Sequence, residues 1–213
     1  MLKNKKLAIF DFDGTLVDSM WAWRRVLPNA INEYNIDLHM TEQELSKMSM
    51  LQFSQFVTEK FPTLKDKPSV YEYCVNYIYN AYKNDVTVKK GAKEYLEYLK
   101  TTDITLCLAS ATENKLLEFA AKSHGLYDYF DIVLTENDVG ATKRDPTLYY
   151  ECIKRAGCKR EETIIFEDVV HAVRTAHKAG ITVCAVEDEG MEKYRDEIKS
   201  LADYYIKDFS ELL

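Results

Sequence analysis

The chain has 213 residues, 46% hydrophobic and 30% charged, enough apolar material for one large domain or for a core with a smaller insert. Its formal net charge of -7 argues against DNA or RNA as a partner, because phosphate backbones need a basic face. No apolar run approaches the length that crosses a bilayer, so no membrane partner is expected.

The N-terminal MLKNKKLAIF holds basic residues but no apolar run long enough for a secretory signal, and it passes directly into a strand. The five cysteines, Cys74, Cys107, Cys152, Cys158 and Cys184, form no CxxC pair. They read as reduced thiols of a cytoplasmic protein rather than as a disulfide frame or a zinc site.

The first predicted strand is LAIFD, Leu7–Asp11. It opens the segment AIFDFDGTL, Ala8–Leu16. Two carboxylates two residues apart at the end of a buried strand repel each other and resist desolvation unless a cation compensates.

Residues 17–86 follow, rich in aromatics and without strand-like runs. WAWRRVLPNAINEY and TEQELSKM read as helices, and Thr41 with Glu44 three positions later forms a capping box. Tyr71, Val75, Ile78 and Tyr82 fall at i, i+4, i+7 and i+11, predicting one face of a further helix. A small helical domain over 17–86 is thus inserted into a core made of 1–16 and 87–213.

From Ala92 the pattern alternates. Helices are predicted from AKEYLEYLK, ENKLLEFAAKSHG, TLYYECIKRAG and VRTAHKAG, the last three closing on Gly. Between them lie the apolar runs ITLCLA (Ile104–Ala109), DIVLT (Asp131–Thr135), TIIF (Thr163–Phe166) and ITVCAV (Ile181–Val186), with a last short one beginning at Asp203. Short strands apolar through their middle suit a parallel sheet covered on both faces. The fold class expected is α/β, a doubly wound parallel-sheet core with an inserted helical domain.

In such sheets ligands bind beyond the carboxyl ends of the strands. Asp11 and Asp13 follow the first strand, Ser110 the second core strand, Lys143 the third, and Glu167 and Asp168 the fourth. Carboxylates suit a hard divalent cation such as Mg²⁺, while a hydroxyl, an ammonium and loop N–H groups suit phosphoryl oxygens. Asp11 and Asp13 point to one side of the strand end and Gly14 permits a tight exit. The residue set is that of phosphoryl transfer. Each member also has a plain structural reading: a solvated turn for the aspartates, a helix N-cap for Ser110, a surface lysine for Lys143, first-turn acids for Glu167 and Asp168.

DFDGTL, the Ser after the second core strand, the Lys in ATKRDP and the acidic pair in IIFEDVVHAVRTAHKAG together resemble the haloacid dehalogenase (HAD) superfamily, subfamily IA, β-phosphoglucomutase-like, over nearly the whole chain. The insert resembles that family's C1 helical cap. The resemblance implies a Rossmann-like HAD core and a phosphatase acting on a small phosphorylated metabolite. Asp11 is then the nucleophile and Asp13 the acid and base. Ser110 and Lys143 bind the transferring group. Mg²⁺ is held by Asp11, Asp168 and the backbone carbonyl of Asp13, with Glu167 assisting. Thr15 is expected to bond locally within its loop.

Three departures from the family pattern, Ala111, Val169 and Lys90, leave the implied chemistry in place. A fourth, Trp23 where β-phosphoglucomutase carries a cap histidine, counts against a mutase. Trp21, Trp23 and Arg24 are candidates to line the substrate pocket, and His171 reads as a neighbour of the site rather than a ligand. A sugar phosphomutase and a non-enzymatic phospho-switch remain as alternatives. The oligomeric state is not legible.

Overall fold

The computed structural model describes residues 1–45, 48–64 and 69–213. Six parallel strands form the main sheet: β1 (Leu7–Phe10), β4 (Thr105–Ser110), β5 (Ile132–Thr135), β6 (Thr163–Glu167), β7 (Thr182–Val186) and β8 (Tyr204–Ile206), in the order β5-β4-β1-β6-β7-β8. Two further short strands, β2 (Val17–Asp18) and β3 (Thr87–Val88), pair antiparallel. The chain divides into two compact units, Met1–Asp18 with Thr87–Leu213, and Ser19–Val86.

β1 lies mid-sheet. The chain runs outward from it through β4 and β5, then returns to the other side of β1 with β6 and continues to β7 and β8. The winding direction therefore reverses between β1 and β6, the place where open α/β sheets form their crevice. Register does the rest. Phe10 pairs with Phe166, and the Asp11 N–H extends the ladder by donating to the Phe166 carbonyl at 3.0 Å. The first residue past β1 is thereby set beside the end of β6.

Alternation along β1 fills both layers. Leu7 and Ile9 pack with Cys107, Ala109, Leu148, Ile165 and Val183. Phe10 points the other way and stacks on Phe166, with ring centroids 4.4 Å apart and planes within 2°. Phe209 and Tyr95 complete that second layer. Helices Ala92–Leu99, Asn114–Ser123, Thr147–Ala156 and Val170–Lys178 cover the sheet, matching the four predicted after Ala92.

The second unit is helical, with longer helices at Met20–Glu33, Met50–Lys60 and Val70–Asn84 and a short turn of helix at Glu42–Leu45. The Thr41–Glu44 capping box is present: the Thr41 N–H donates to Glu44 Oε2 at 2.8 Å and the Glu44 N–H to Thr41 Oγ1 at 3.3 Å. Ser46 and Lys47, within the predicted TEQELSKM helix, lie outside the described residues. The stripe predicted on the last helix is rotated. Tyr71 is exposed, and the buried face is made by Val70, Cys74, Ile78, Ala81 and Tyr82. An i, i+4, i+8 series beginning one residue earlier won, because Cys74 is the smaller and more easily buried side chain.

Candidate active site

Asp11 directly follows β1, whose residues are fully buried, and the loop it opens is tightly wound. The Leu16 and Val17 N–H groups both donate to the Phe12 carbonyl, at 2.9 and 3.2 Å. Gly14 adopts φ 85°, left-handed backbone that a side chain would strain, and its N–H donates to the Val17 carbonyl at 2.9 Å. This winding brings the chain straight back to β2.

Three carboxylates from two strand ends converge. Asp11, Glu167 and Asp168 each place a carboxylate oxygen within 4.8 Å of the others, and all three are buried. Lys143 enters the cluster from the segment after β5. Its ammonium donates to Glu167 Oε1 at 2.6 Å and to Asp11 Oδ1. Tyr149, in the first turn of Thr147–Ala156, donates its hydroxyl to the same Glu167 Oε1 at 3.2 Å. Thr15 donates to Asp168 Oδ1 at 3.1 Å. The local bond expected of Thr15 is thus replaced by one to the far end of the chain, since the wound loop turns its hydroxyl toward β6.

The electrostatics are those of a site in which buried acids outnumber their counter-charge. Burial pushes the Asp11 carboxyl up to about 7, against the pull of Lys143, with Glu167 and Asp13 adding to the rise. Asp168 is raised well above the ordinary range, first by burial and then by Asp11 and Glu167. Burial opposes the Lys143 charge as well, yet Asp11 and Glu167 outweigh it and hold the ammonium above the usual lysine value. Three acids against one ammonium leave two surplus negative charges when all are ionised (three minus one). Asp168 Oδ2 is buried with no hydrogen-bond partner among the described residues. An orphaned carboxylate oxygen beside two other buried acids fits a hard divalent cation.

Asp13 and Ser110 sit at the neighbouring strand ends. Ser110, the last residue of β4, is 1% exposed, and its Oγ accepts the Thr112 N–H at 3.0 Å. It does not cap the following helix, whose N-cap is Glu113. Asp13 is not among the three converging acids; its Oδ2 accepts the Thr112 hydroxyl at 2.7 Å. Thr112, Tyr149 and the Lys89–Asp188 pair went unmarked in the sequence. Lys89 donates to the Glu187 carbonyl at 2.5 Å, lies 3.9 Å from Asp188, and with it acts on the charge of Asp168. Thr112 lies two residues after Ser110 and Tyr149 shortly after KRDP, Lys143–Pro146, but nothing local names their partners.

Trp21, Trp23 and Arg24 belong to the helical unit, on Met20–Glu33. Within that unit the Trp23 indole N–H donates to the Tyr82 hydroxyl at 3.2 Å, and the Arg25 guanidinium lies over the Trp21 ring at 5.7 Å. His171 is partly buried in the core and its imidazolium form is disfavoured, chiefly by burial.

A doubly wound sheet carrying this residue set at its carboxyl edge defines an enzyme, a hydrolase of the phosphate-ester class. The chain belongs to the haloacid dehalogenase-like hydrolase family, whose model matches residues 8–186. It is 29% identical over 178 residues to a phosphorylated carbohydrates phosphatase of Thermotoga maritima, covering 81% of each chain. It is 26% identical over 212 residues to a validoxylamine A 7'-phosphate phosphatase of Streptomyces hygroscopicus subsp. limoneus, covering 97% of this chain and 95% of that one. In fold it is similar to CbbY from Rhodobacter sphaeroides, solved in complex with phosphate, with a TM-score of 0.77 at 17% identity over 98% of this chain and 96% of that one. The family and fold expected from the motifs are those found.

Proposed function

We propose that the protein is a Mg²⁺-dependent phosphatase that hydrolyses the phosphate monoester of a small metabolite through an aspartyl-phosphate on Asp11. The observation that carries this reading is the convergence of Asp11, Glu167 and Asp168 within 4.8 Å of one another, with Lys143 bridging two of them. Asp11, Asp168 and the Asp13 carbonyl would hold Mg²⁺, with Glu167 assisting, and the ion when bound offsets charge on the phosphoryl oxygens.

Asp11 attacks phosphorus with a carboxylate oxygen, and the bond from phosphorus to the ester oxygen breaks. Asp13 gives its proton to that departing oxygen and is left ionised. In the second half, Asp13 takes a proton from water as the water oxygen attacks phosphorus. The bond from phosphorus to Asp11 then breaks, which releases inorganic phosphate and restores both carboxyls. The Lys143 ammonium lowers the cost of keeping Asp11 ionised among other acids and binds the transferring group with the Ser110 hydroxyl.

Residues 17–86 serve in this reading as the cap that sets specificity, with Trp21, Trp23 and Arg24 contacting the substrate. Phosphorylated carbohydrates head the substrate series, because the Thermotoga relative carries that name. The test is a panel of sugar phosphates, nucleoside monophosphates and phosphoglycolate, assayed for phosphate release with Mg²⁺ and with chelator. Release that needs Mg²⁺ and vanishes in Asp11→Asn supports the reading. Release unaffected by either change overturns it, and isomerised sugar phosphate without free phosphate would make the enzyme a mutase.

A further inference from the structure

Thr112 joins two residues that the proposed chemistry uses separately. Its N–H donates to Ser110 Oγ at 3.0 Å and its hydroxyl to Asp13 Oδ2 at 2.7 Å. The residue is only 7% exposed, so water competes poorly for that hydroxyl. Its backbone is set by the strand that ends at Ser110 and by the helix that begins at Asn114. The Glu113 side chain caps that helix by accepting the Leu116 N–H at 3.2 Å. A β-branched side chain on so fixed a backbone has few rotamers, and the position of its hydroxyl oxygen is set accordingly.

We propose that Thr112 is a positioning residue for Asp13, orienting its carboxyl so that the proton reaches the departing ester oxygen. The proposal rests on the reading of Asp13 as the acid. With Oδ2 accepting from Thr112, Oδ1 is the oxygen turned away from that bond. Thr112 thereby selects which oxygen performs the transfer and where it points. The bond to Ser110 ties that direction to the residue proposed to hold the phosphoryl group, so donor and phosphorus keep a common frame.

This role depends on the leaving group, whereas a structural role does not. An aryl oxygen leaves readily as an anion and needs little protonation; an alkyl oxygen needs the proton. Because kcat/KM includes only the steps through the first phosphoryl transfer, it isolates the acid role of Asp13 from its later role as base.

The experiment compares kcat/KM for p-nitrophenyl phosphate and for glycerol phosphate in the full chain with Mg²⁺, for Thr112→Val, Thr112→Ser and Asp13→Asn. Thr112→Val is expected to lose about tenfold to a hundredfold on the alkyl ester, to leave the aryl ester essentially unchanged, and to be rescued by Thr112→Ser. Retained aryl activity also shows that the variant folds. Equal losses on both esters, or on neither, while Asp13→Asn shows the alkyl-selective loss, overturn the role of Thr112 alone. Absence of alkyl-selective loss in Asp13→Asn itself overturns the acid role of Asp13, and the proposal with it.

Discussion

Thr15 and Asp168 are 153 positions apart in sequence and joined by a buried hydrogen bond of 3.1 Å. The Thr15 hydroxyl occupies Asp168 Oδ1 and leaves Oδ2 as the orphaned oxygen of the acidic cluster. Partners behind a ligand fix its orientation and tune its affinity. Thr15→Val keeps the shape and removes the donor. It is expected to weaken Mg²⁺ binding by about tenfold to a hundredfold, read by isothermal titration, with an unchanged circular dichroism spectrum. Unaltered affinity would mean that the bond does not orient Asp168.

Lys143 compensates two buried acids at once, and its side chain is 3% exposed. Removing one partner of a buried charge cluster leaves the rest uncompensated. Lys143→Met is therefore expected to lose about 3–5 kcal/mol of stability in chelator, measured by urea unfolding. Added Mg²⁺ should recover part of that loss, since an ion that binds only the folded state stabilises it by mass action. A variant as stable as wild type without metal would show that the Lys143 ammonium does not compensate the buried acids.

How far the sequence could be read follows from the range of each interaction. The strands of the core were legible because each is a short apolar run, and the acids because Asp11, Glu167 and Asp168 directly follow or end such runs. What escaped depends on pairing across the chain. The β2–β3 ribbon joins residues 17–18 to 87–88 with no local signal in either pair. The helix Met50–Lys60 opens on a Ser49–Gln52 capping box but buries only Phe53, Ser54 and Val57, too few for a clear stripe. Thr15, Thr112 and Tyr149 look like ordinary loop or helix residues until the sheet order supplies their partners.

Gly91 and Gly125 separate two reasons for glycine. Both have positive φ, +76° and +65°. A Cβ on Gly91 would collide with the backbone N of Ser210, whereas one on Gly125 meets nothing within 4 Å. Gly125→Ala is expected to cost about 1 kcal/mol from backbone strain alone. Gly91→Ala should cost clearly more, because the C-terminal backbone at Phe209–Ser210 must move as well. Thermal unfolding of the two variants ranks them, and equal losses would contradict the close approach.

Acid sensitivity has a traceable contributor in Asp131. Burial works against its charge, but the Leu106 N–H at 2.9 Å and the Lys100 ammonium at 2.8 Å together hold the carboxyl below the usual aspartate range. A depressed folded value adds stability above the unfolded value of about 3.9, and that stability is lost as pH falls through the folded one. The pair is largely exposed and solvent-screened, so the gain is under about 1 kcal/mol. The stability gap between wild type and Asp131→Asn, from urea midpoints, should be full near neutrality and close at acid pH. A gap that does not change with pH would show that the charge contributes nothing.

Covalent capture by Asp11 is tested most directly by labelling. Enzyme mixed with a phosphate monoester carrying radioactive phosphorus is quenched in acid within the first turnover, digested and mapped. The label is expected on the peptide containing Asp11, removable by hydroxylamine as an acyl phosphate is, and absent from Asp11→Asn. Label on Ser110 or any other residue, or full turnover by the Asp11→Asn variant, would contradict the mechanism.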